Sequence, residues 1–309
     1  MLDYFFTVVQ QIFAMTLMVL AGFLCYKFKI LTDRGIKEFS SVLLKIVMPM
    51  IVISAFQRPF ESALAGKWFS MLGISLFTYL LSIAIAELFY KNPDTYARGE
   101  CLISVSFPNC GFLAFPILNA LAGPEGIFMG SASVILLNII QWTYGTIRLC
   151  PGQKINIRNI LLNPGVIAIV ASLLLFVSPV KLPAPVFQAV DAIGSLNTPL
   201  AMIVLGGMLA QTDMKSAFTT LSYYKPAFLK LIIVPLVMLV VLYFIPLSNI
   251  VKLVAFVCSV VPTATSVSML SHFYGRDYRY ATSMVVIITV LSVITMPVLL
   301  ALGKQFLGY

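Results

Sequence analysis

Charged side chains are scarce in this chain of 309 residues, because they make up 10% of it, whereas 60% of the residues are hydrophobic. The mean hydropathy is +1.01. A soluble domain needs a polar surface around its core, and this composition does not supply one. The sequence therefore predicts an integral membrane protein without a soluble domain.

Residue types that catalyse reactions or bind metals are few as well. The single histidine, His272, has no obvious serine or cysteine partner at membrane depth, and no two aspartates lie mid-membrane on facing helices. The five cysteines have no ligand-like spacing and suggest no disulfide framework, so we interpret them as small core residues. The sequence predicts no enzyme, no metal site and no cofactor.

Long apolar runs, by contrast, are abundant, and ten of them are long enough to cross a bilayer as helices. The predicted spans 1 to 10 are Tyr4–Cys25, Phe39–Phe56, Trp68–Tyr90, Cys101–Leu121, Ile127–Leu149, Ile160–Val177, Val186–Leu209, Pro226–Ile245, Ile250–Phe273 and Tyr280–Leu302. Span 1 has no basic region before it, so we expect a retained helix and not a cleaved signal peptide. The expected fold class is an all-α membrane protein of ten helices.

Span 4 cannot be one regular helix, because Pro108, Gly111 and Pro116 interrupt its middle. A proline inside a helix removes one backbone hydrogen bond and costs about 3 kcal/mol. Lipid holds no water that could replace that bond. Broken backbone at this depth therefore indicates either a kink buried in protein or the wall of a wet binding cavity.

A similar break in span 9 favours the binding cavity, since Pro262 is followed there by Thr263-Ala264-Thr265-Ser266. The spacings that recur are 150 residues from Pro49 to Pro199, 154 from Pro108 to Pro262 and 152 from Gly123 to Gly275. We therefore predict two copies of a five-helix unit, residues 1–149 and 160–309, joined by a short linker at 150–159. Because five is odd, the second copy must be inverted in the membrane, as in secondary transporters.

Basic residues are distributed unevenly between the loops. The odd-numbered loops hold fourteen, with Lys230 counted among them, while the even-numbered loops and the tail hold five. Basic loops tend to remain on the cytoplasmic side. We therefore expect a protein of the cell membrane with both termini extracytoplasmic. The net charge of +9 is then a topology signal and requires no nucleic-acid partner.

Six motifs are spread over nearly the whole chain. They are Pro108-Asn-Cys-Gly-Phe-Leu-Ala-Phe-Pro116, Gly123-Pro-Glu-Gly126, Asn138-Ile-Ile-Gln-Trp142, Asn163-Pro164, Pro199-Leu-Ala-Met-Ile-Val-Leu-Gly206 and Pro262-Thr-Ala. Together they resemble the auxin efflux carrier family in its compact prokaryotic form.

That resemblance implies a fold similar to bile acid symporters and sodium/proton antiporters, in which the broken spans 4 and 9 cross. It implies a scaffold of spans 1, 2, 6 and 7 that forms a homodimer, and a transport unit of spans 3–5 and 8–10 that moves like an elevator. The implied substrates are small organic anions such as malate, malonate or auxin-like acids. The long cytoplasmic loop of many plant members is absent here, which argues against a plant hormone.

The residues themselves also favour an anion. Each helix that restarts after Pro108 or Pro262 begins with unpaired backbone N–H groups, whose partial positive charge attracts a carboxylate. The predicted substrate-binding residues are Pro108, Asn109, Cys110, Gly111, Pro262, Thr263, Ala264, Thr265, Pro49 and Pro199. Asn109 could contact the substrate or only cap its helix, and Thr263 and Thr265 could contact the substrate or bond to their own turn.

Lys45, about one turn before Pro49, could attract the anion toward the crossing, or its side chain could snorkel to the cytoplasmic interface. We take snorkelling as the default. The crossing contains no aspartate, so we expect the anion to move without a co-ion, driven by a membrane potential worth roughly 2.3 kcal/mol per 100 mV. The alternative function is a receptor of the same fold that binds the anion without moving it.

Overall fold

The computed structural model describes residues 2–92, 95, 97–152, 158, 161–178 and 180–309, and most of these residues are helical. The helices are α1 Leu2–Lys27, α2 Asp33–Phe56, α3 Ser62–Phe89, α4 Arg98–Ser106, α5 Cys110–Leu149, α6 Pro164–Val177, α7 Ala184–Gln211, α8 Met214–Thr219, α9 Leu221–Phe244, α10 Asn249–Val260, α11 Ser266–Phe273 and α12 Tyr278–Leu307. No strand occurs among the described residues, which confirms the all-α class. Most of the predicted linker, residues 153–157 and 159, lies outside the described residues.

Seven of these helices are long and apolar enough to cross a membrane: α1, α2, α3, α5, α7, α9 and α12. Two shorter helices, α6 and α10, are also apolar. Each of the predicted spans 4 and 9 is divided into two helices, α4 with the start of α5, and α10 with α11. Predicted spans 4 and 5 share α5, which bends at Gly123, where φ is 57° and ψ is −150°. Such a backbone conformation favours glycine, and Pro124 follows it directly.

Several prolines lie inside the long helices and widen them locally instead of ending them. Three of the widened, π-helical turns, Leu43–Val47, Cys110–Ala114 and Leu229–Ile233, precede Pro49, Pro116 and Pro235, whereas a fourth, Gln141–Gly145, has no proline after it in its helix. A proline has no N–H to donate to the carbonyl four residues earlier, so the preceding turn relaxes to accommodate the missing bond. These turns re-aim the side chains they contain.

Helices α1 and α7 pack backbone against backbone through two glycines. A Cβ atom added at Gly206 would lie 2.0 Å from the carbonyl oxygen of Val19, and one at Gly22 would lie 2.2 Å from that of Ile203. No larger residue fits at either position without separating the helices. Small residues at such contacts let membrane helices approach closely, where lipid provides no hydrophobic driving force between them.

Helices α3 and α5 are joined by buried polar contacts at membrane depth. The Trp68 indole N–H donates to the Ser131 hydroxyl over 3.0 Å, and the Ser75 and Ser133 hydroxyls are 2.6 Å apart. The Tyr79 hydroxyl donates to the carbonyl oxygen of Ser133 over 3.0 Å. Each bond satisfies a polar group that lipid would leave unpaired.

An ion-pair cluster closes one end of this region. The Glu87 carboxylate lies 2.9 Å from Arg98 and 2.6 Å from Arg148, and Glu100, which is 1% exposed, lies 3.5 Å from Arg276. A carboxylate as buried as that of Glu100 requires a countercharge, and Arg276 supplies it.

Candidate functional site at the helix crossing

The two helix breaks lie against each other. Pro108 and Thr263 form an isolated antiparallel β-bridge. The Asn109 N–H donates to the carbonyl of Pro262 over 2.8 Å, and the Ala264 N–H donates to the carbonyl of Phe107, also over 2.8 Å. Backbone groups freed by one broken helix are thus satisfied by the other, which removes the cost of exposing them at membrane depth.

Thr263 stabilises this crossing from inside the protein. Its side chain is fully buried, and its hydroxyl donates to the carbonyl of Ser104 over 2.6 Å. The hydroxyl is therefore already bonded, across to the other broken helix and not to its own turn.

The oxygen and the nitrogen of the Asn109 side-chain amide have different environments. Its Oδ1 accepts the N–H of Phe112 over 3.2 Å and so caps the start of α5. Because an N–H needs an acceptor, this bond requires the oxygen to face Phe112 and the nitrogen to face away. The Nδ2 is buried and has no hydrogen-bond partner among the described residues. An unpaired buried donor is costly and is normally satisfied, so this nitrogen is available for a ligand.

A cavity of about 340 Å³ lies beside the crossing. It is bounded by α2, α5, α6 and α11, together with the two breaks. Its lining consists of Leu44, Lys45, Met48, Asn109, Gly111, Phe112, Val134, Leu137, Asn138, Gln141, Trp142, Asn163, Pro164, Gly165, Ala264, Thr265, Ser266, Met269, Leu270 and Phe273. Lys45 is the one charged residue in this lining, and no carboxylate contributes to it.

Lys45 has an exposed side chain that forms no hydrogen bond or ion pair with the residues that the structure describes. It lies in the widened turn Leu43–Val47 of α2, on the cavity wall. Both sequence-based alternatives for Lys45, attraction of an anion and snorkelling, stay predictions.

Thr265 differs from its neighbour Thr263, because it lines the cavity and its hydroxyl has no hydrogen-bond partner in the described part of the chain. The backbone N–H groups of Thr265 and Ser266, at the start of α11, donate to no described backbone carbonyl outside the helix. The start of α5 is already capped by Asn109. The two restarts are therefore unequal, and that of α11 has the free donors.

The remaining predicted residues are placed as follows. Gly111 and Ala264 line the cavity, whereas Pro49, Pro108, Cys110, Pro199, Pro262 and Thr263 do not. A Cβ atom at Gly111 would lie 2.4 Å from the Met48 methyl group, so a larger residue there requires the flexible end of the Met48 side chain to move. None of the described contacts tests whether these residues bind a substrate, and their assignments stay predictions.

Four polar residues of the lining, Asn138, Gln141, Asn163 and Ser266, were not recognised from the sequence as site residues. Gln141 donates from Nε2 to the Ser266 hydroxyl over 2.6 Å, which links α5 to α11. Asn138 lies one turn earlier and donates to the carbonyl of Val134 over 2.9 Å. The signal was present, because polar residues three positions apart in an apolar helix share one face.

A second cavity, of about 450 Å³, lies between α1, α7 and α12. Its lining has no charged residue, and its hydroxyls bond to their own helices, as those of Thr16, Thr289 and Ser292 show. It therefore offers no donor to an anion, unlike the cavity at the crossing.

Comparisons with known proteins agree with this architecture. The family model described as "Membrane transport protein" matches residues 7–300. A relative from Methanocaldococcus jannaschii, named "Uncharacterized transporter MJ1031", is 22% identical over 289 residues, which cover 90% of this chain and 93% of the relative. The match extends across both helix breaks and the cavity between them.

Proposed function

Because the chain belongs to the membrane transport protein family, which is the auxin efflux carrier family that its motifs resemble, we propose that it carries small organic anions across a membrane. Membership makes it a multi-pass membrane transporter and not an enzyme. The observation that supports an anionic cargo is the cavity at the crossing, whose single charged lining residue is Lys45.

The donors around this cavity suit a carboxylate. Thr265 offers its hydroxyl, the start of α11 offers unpaired N–H groups, and Asn109 offers the unpartnered Nδ2. Helix N-termini and cations both stabilise negative charge, and bonds to an ionised group are stronger than those between neutral ones. The apolar walls, which include Trp142 and Phe273, suit the carbon skeleton of a small acid such as malate, malonate or an auxin-like acid.

The proposed mechanism is an elevator-like movement of one helix group against another. In this proposal ten spans form two inverted repeats, with a scaffold of spans 1, 2, 6 and 7 and a transport unit of the others. The support is that residues of α2 and α6, which belong to the scaffold, and residues of α5 and α11, which belong to the transport unit, line the same cavity. Among the described residues, Asn197 Nδ2 on α7 donates across the two groups to the carbonyl of Gly111 over 3.3 Å. A homodimer through the scaffold, residence in the cell membrane and extracytoplasmic termini belong to the same proposal.

Counterflow of radiolabelled malate in proteoliposomes tests transport. Vesicles loaded with unlabelled malate should accumulate external label transiently if the protein exchanges the anion, and protein-free vesicles should not. The same assay with malonate and indole-3-acetate compares the proposed cargo types. Saturable malate binding without counterflow would replace the transporter by the receptor alternative.

A further inference from the structure

Lys230 is a lysine inside a membrane-spanning helix and is only 1% exposed. It lies in the widened turn Leu229–Ile233 of α9, ahead of Pro235. The count of basic loop residues had included it, although it lies four residues after the start of the predicted span Pro226–Ile245. An ionisable residue at membrane depth is costly, and such residues usually have a function.

Lys230 has no countercharge among the described residues. The ionisable groups on the helices that pack against its turn are Lys67, Tyr79 and Glu87 on α3, Arg98, Glu100 and Cys101 on α4, Tyr223, Tyr224, Lys225 and Tyr243 on α9 itself, and Tyr278, Arg279, Tyr280 and Lys304 on α12. Glu87 binds Arg98 and Arg148, and Glu100 pairs with Arg276. No described ion pair includes Lys230.

The turn that holds Lys230 packs against α3. The Tyr79 hydroxyl of α3 lies 3.7 Å from the thiol of Cys110, which follows the break at Pro108. Cys110 is fully buried, whereas the residues on either side of it, Asn109 and Gly111, line the cavity. The Cys110 side chain therefore lies behind the cavity wall, and Lys230 is not part of the lining either.

We propose that Lys230 binds a proton together with the transported anion, which makes this protein an anion–proton symporter. The inference rests on the proposed function, since it requires an anion in the cavity beside Asn109. The step is a simple protonation: the neutral amine accepts a proton that reaches it from solvent and becomes an ammonium group. It releases that proton when the anion leaves.

The physical reason is linkage between two charges on opposite sides of one cavity wall. A buried ammonium without a countercharge is unstable, and an anion close by removes that penalty. At an effective dielectric of about 20, an attraction of roughly 1.4 kcal/mol between the two charges changes the binding of each by roughly tenfold. The coupling is reciprocal, so anion binding draws in a proton and acid pH tightens anion binding. Symport with a proton would replace the transport without a co-ion that we expected because the crossing contains no aspartate.

Titration calorimetry on purified protein in detergent tests the proposal. Malate binding is measured in buffers of different ionisation enthalpy, from about pH 5 to about pH 10, which brackets the range known for buried lysines. Malate is already a dianion over most of this range, so proton uptake reports the protein. We expect a fraction of one proton taken up per malate at the titration midpoint, and a dissociation constant that rises roughly tenfold toward alkaline pH.

Lys230→Met is the decisive variant, because methionine fills a similar volume and an apolar replacement of a buried charge is often neutral for stability. It should bind malate without proton uptake and without the pH dependence. Lys225→Met, on the exposed part of the same helix, is the matched control and should keep both. Wild-type binding without proton uptake, or uptake that persists in Lys230→Met, overturns the symport proposal alone. Failure of malate, malonate and indole-3-acetate to bind wild type overturns the proposed function and the symport together.

Discussion

Replacing Asn109 separates its two roles, because one atom of its amide caps α5 and the other is free. Asn109→Ala removes both atoms. Loss of a helix cap costs about 0.5–2 kcal/mol of stability. Loss of a donor to a charged acceptor costs about 1.5–3 kcal/mol, or roughly 10- to 150-fold in affinity. The alanine variant should therefore lose thermal stability and malate affinity together.

Asn109→Ser keeps the cap and removes the amide nitrogen, whose position the shorter serine side chain does not reach. Serine caps helices about as well as asparagine does, since its hydroxyl oxygen also accepts the N–H at the third helical position. That N–H belongs to Phe112, which donates to Asn109 Oδ1 over 3.2 Å. The serine variant should melt near the wild-type temperature and yet lose as much malate affinity as the alanine variant.

Melting curves and malate binding isotherms on wild type, Asn109→Ala and Asn109→Ser complete this comparison. The reasoning is refuted if the serine variant binds malate as tightly as wild type, because the Nδ2 then makes no contact with the anion. In that case Asn109 acts only as a cap, and the alanine variant should lose stability while its affinity stays normal.

Three further predictions address the crossing, the cavity charge and the topology. Thr263→Val removes the buried hydrogen bond to the carbonyl of Ser104 and leaves that carbonyl unpaired, so it should lower the free energy of unfolding by about 1–3 kcal/mol. An unchanged melting curve would contradict this. Malate affinity should change less than in Asn109→Ala. Lys45→Met should weaken malate binding at least tenfold and flatten its dependence on ionic strength, as measured by isotherms at low and high salt; equal salt sensitivity in both proteins would favour snorkelling. An impermeant maleimide applied to intact cells, with any outer membrane permeabilised, should label Ser248→Cys and spare Ile30→Cys, relative to the unmodified chain; the opposite pattern would invert the topology.

Sequence patterns predicted the class and the family because both depend on properties that a chain displays locally. Apolar runs of spanning length indicated a helical membrane protein, and the family match confirms the resemblance recognised in the motifs. The breaks at Pro108 and Pro262 were visible for the same reason, since proline breaks a helix wherever it lies. The widened turn ahead of Pro49, by contrast, depends on how a helix relaxes around the defect, and no local rule predicts that.

The rest of the site depends on which side chains face one another, and spacing along the chain does not determine this. Thr263 and Thr265 both lie within three residues after Pro262, so the sequence does not distinguish them. In the structure Thr263 bonds to the other broken helix, whereas Thr265 lines the cavity. Gln141 contributes to the site because α11 lies beside it. Lys230 escaped notice because a lysine near a span end is usually exposed, and only the packed structure shows that it is buried.

The bridge between the two breaks also bears on how the protein is made. Its partners, Phe107 with Ala264 and Asn109 with Pro262, are separated by more than 150 residues of chain. At about 5–20 residues per second, a ribosome needs roughly 8–30 s to synthesise that interval. Throughout it the first break has no partner, and lipid cannot satisfy its backbone groups. Insertion of the N-terminal half therefore requires a hydrated or protein-lined environment around Pro108 until the second break emerges, and the crossing is among the last parts of the molecule to form.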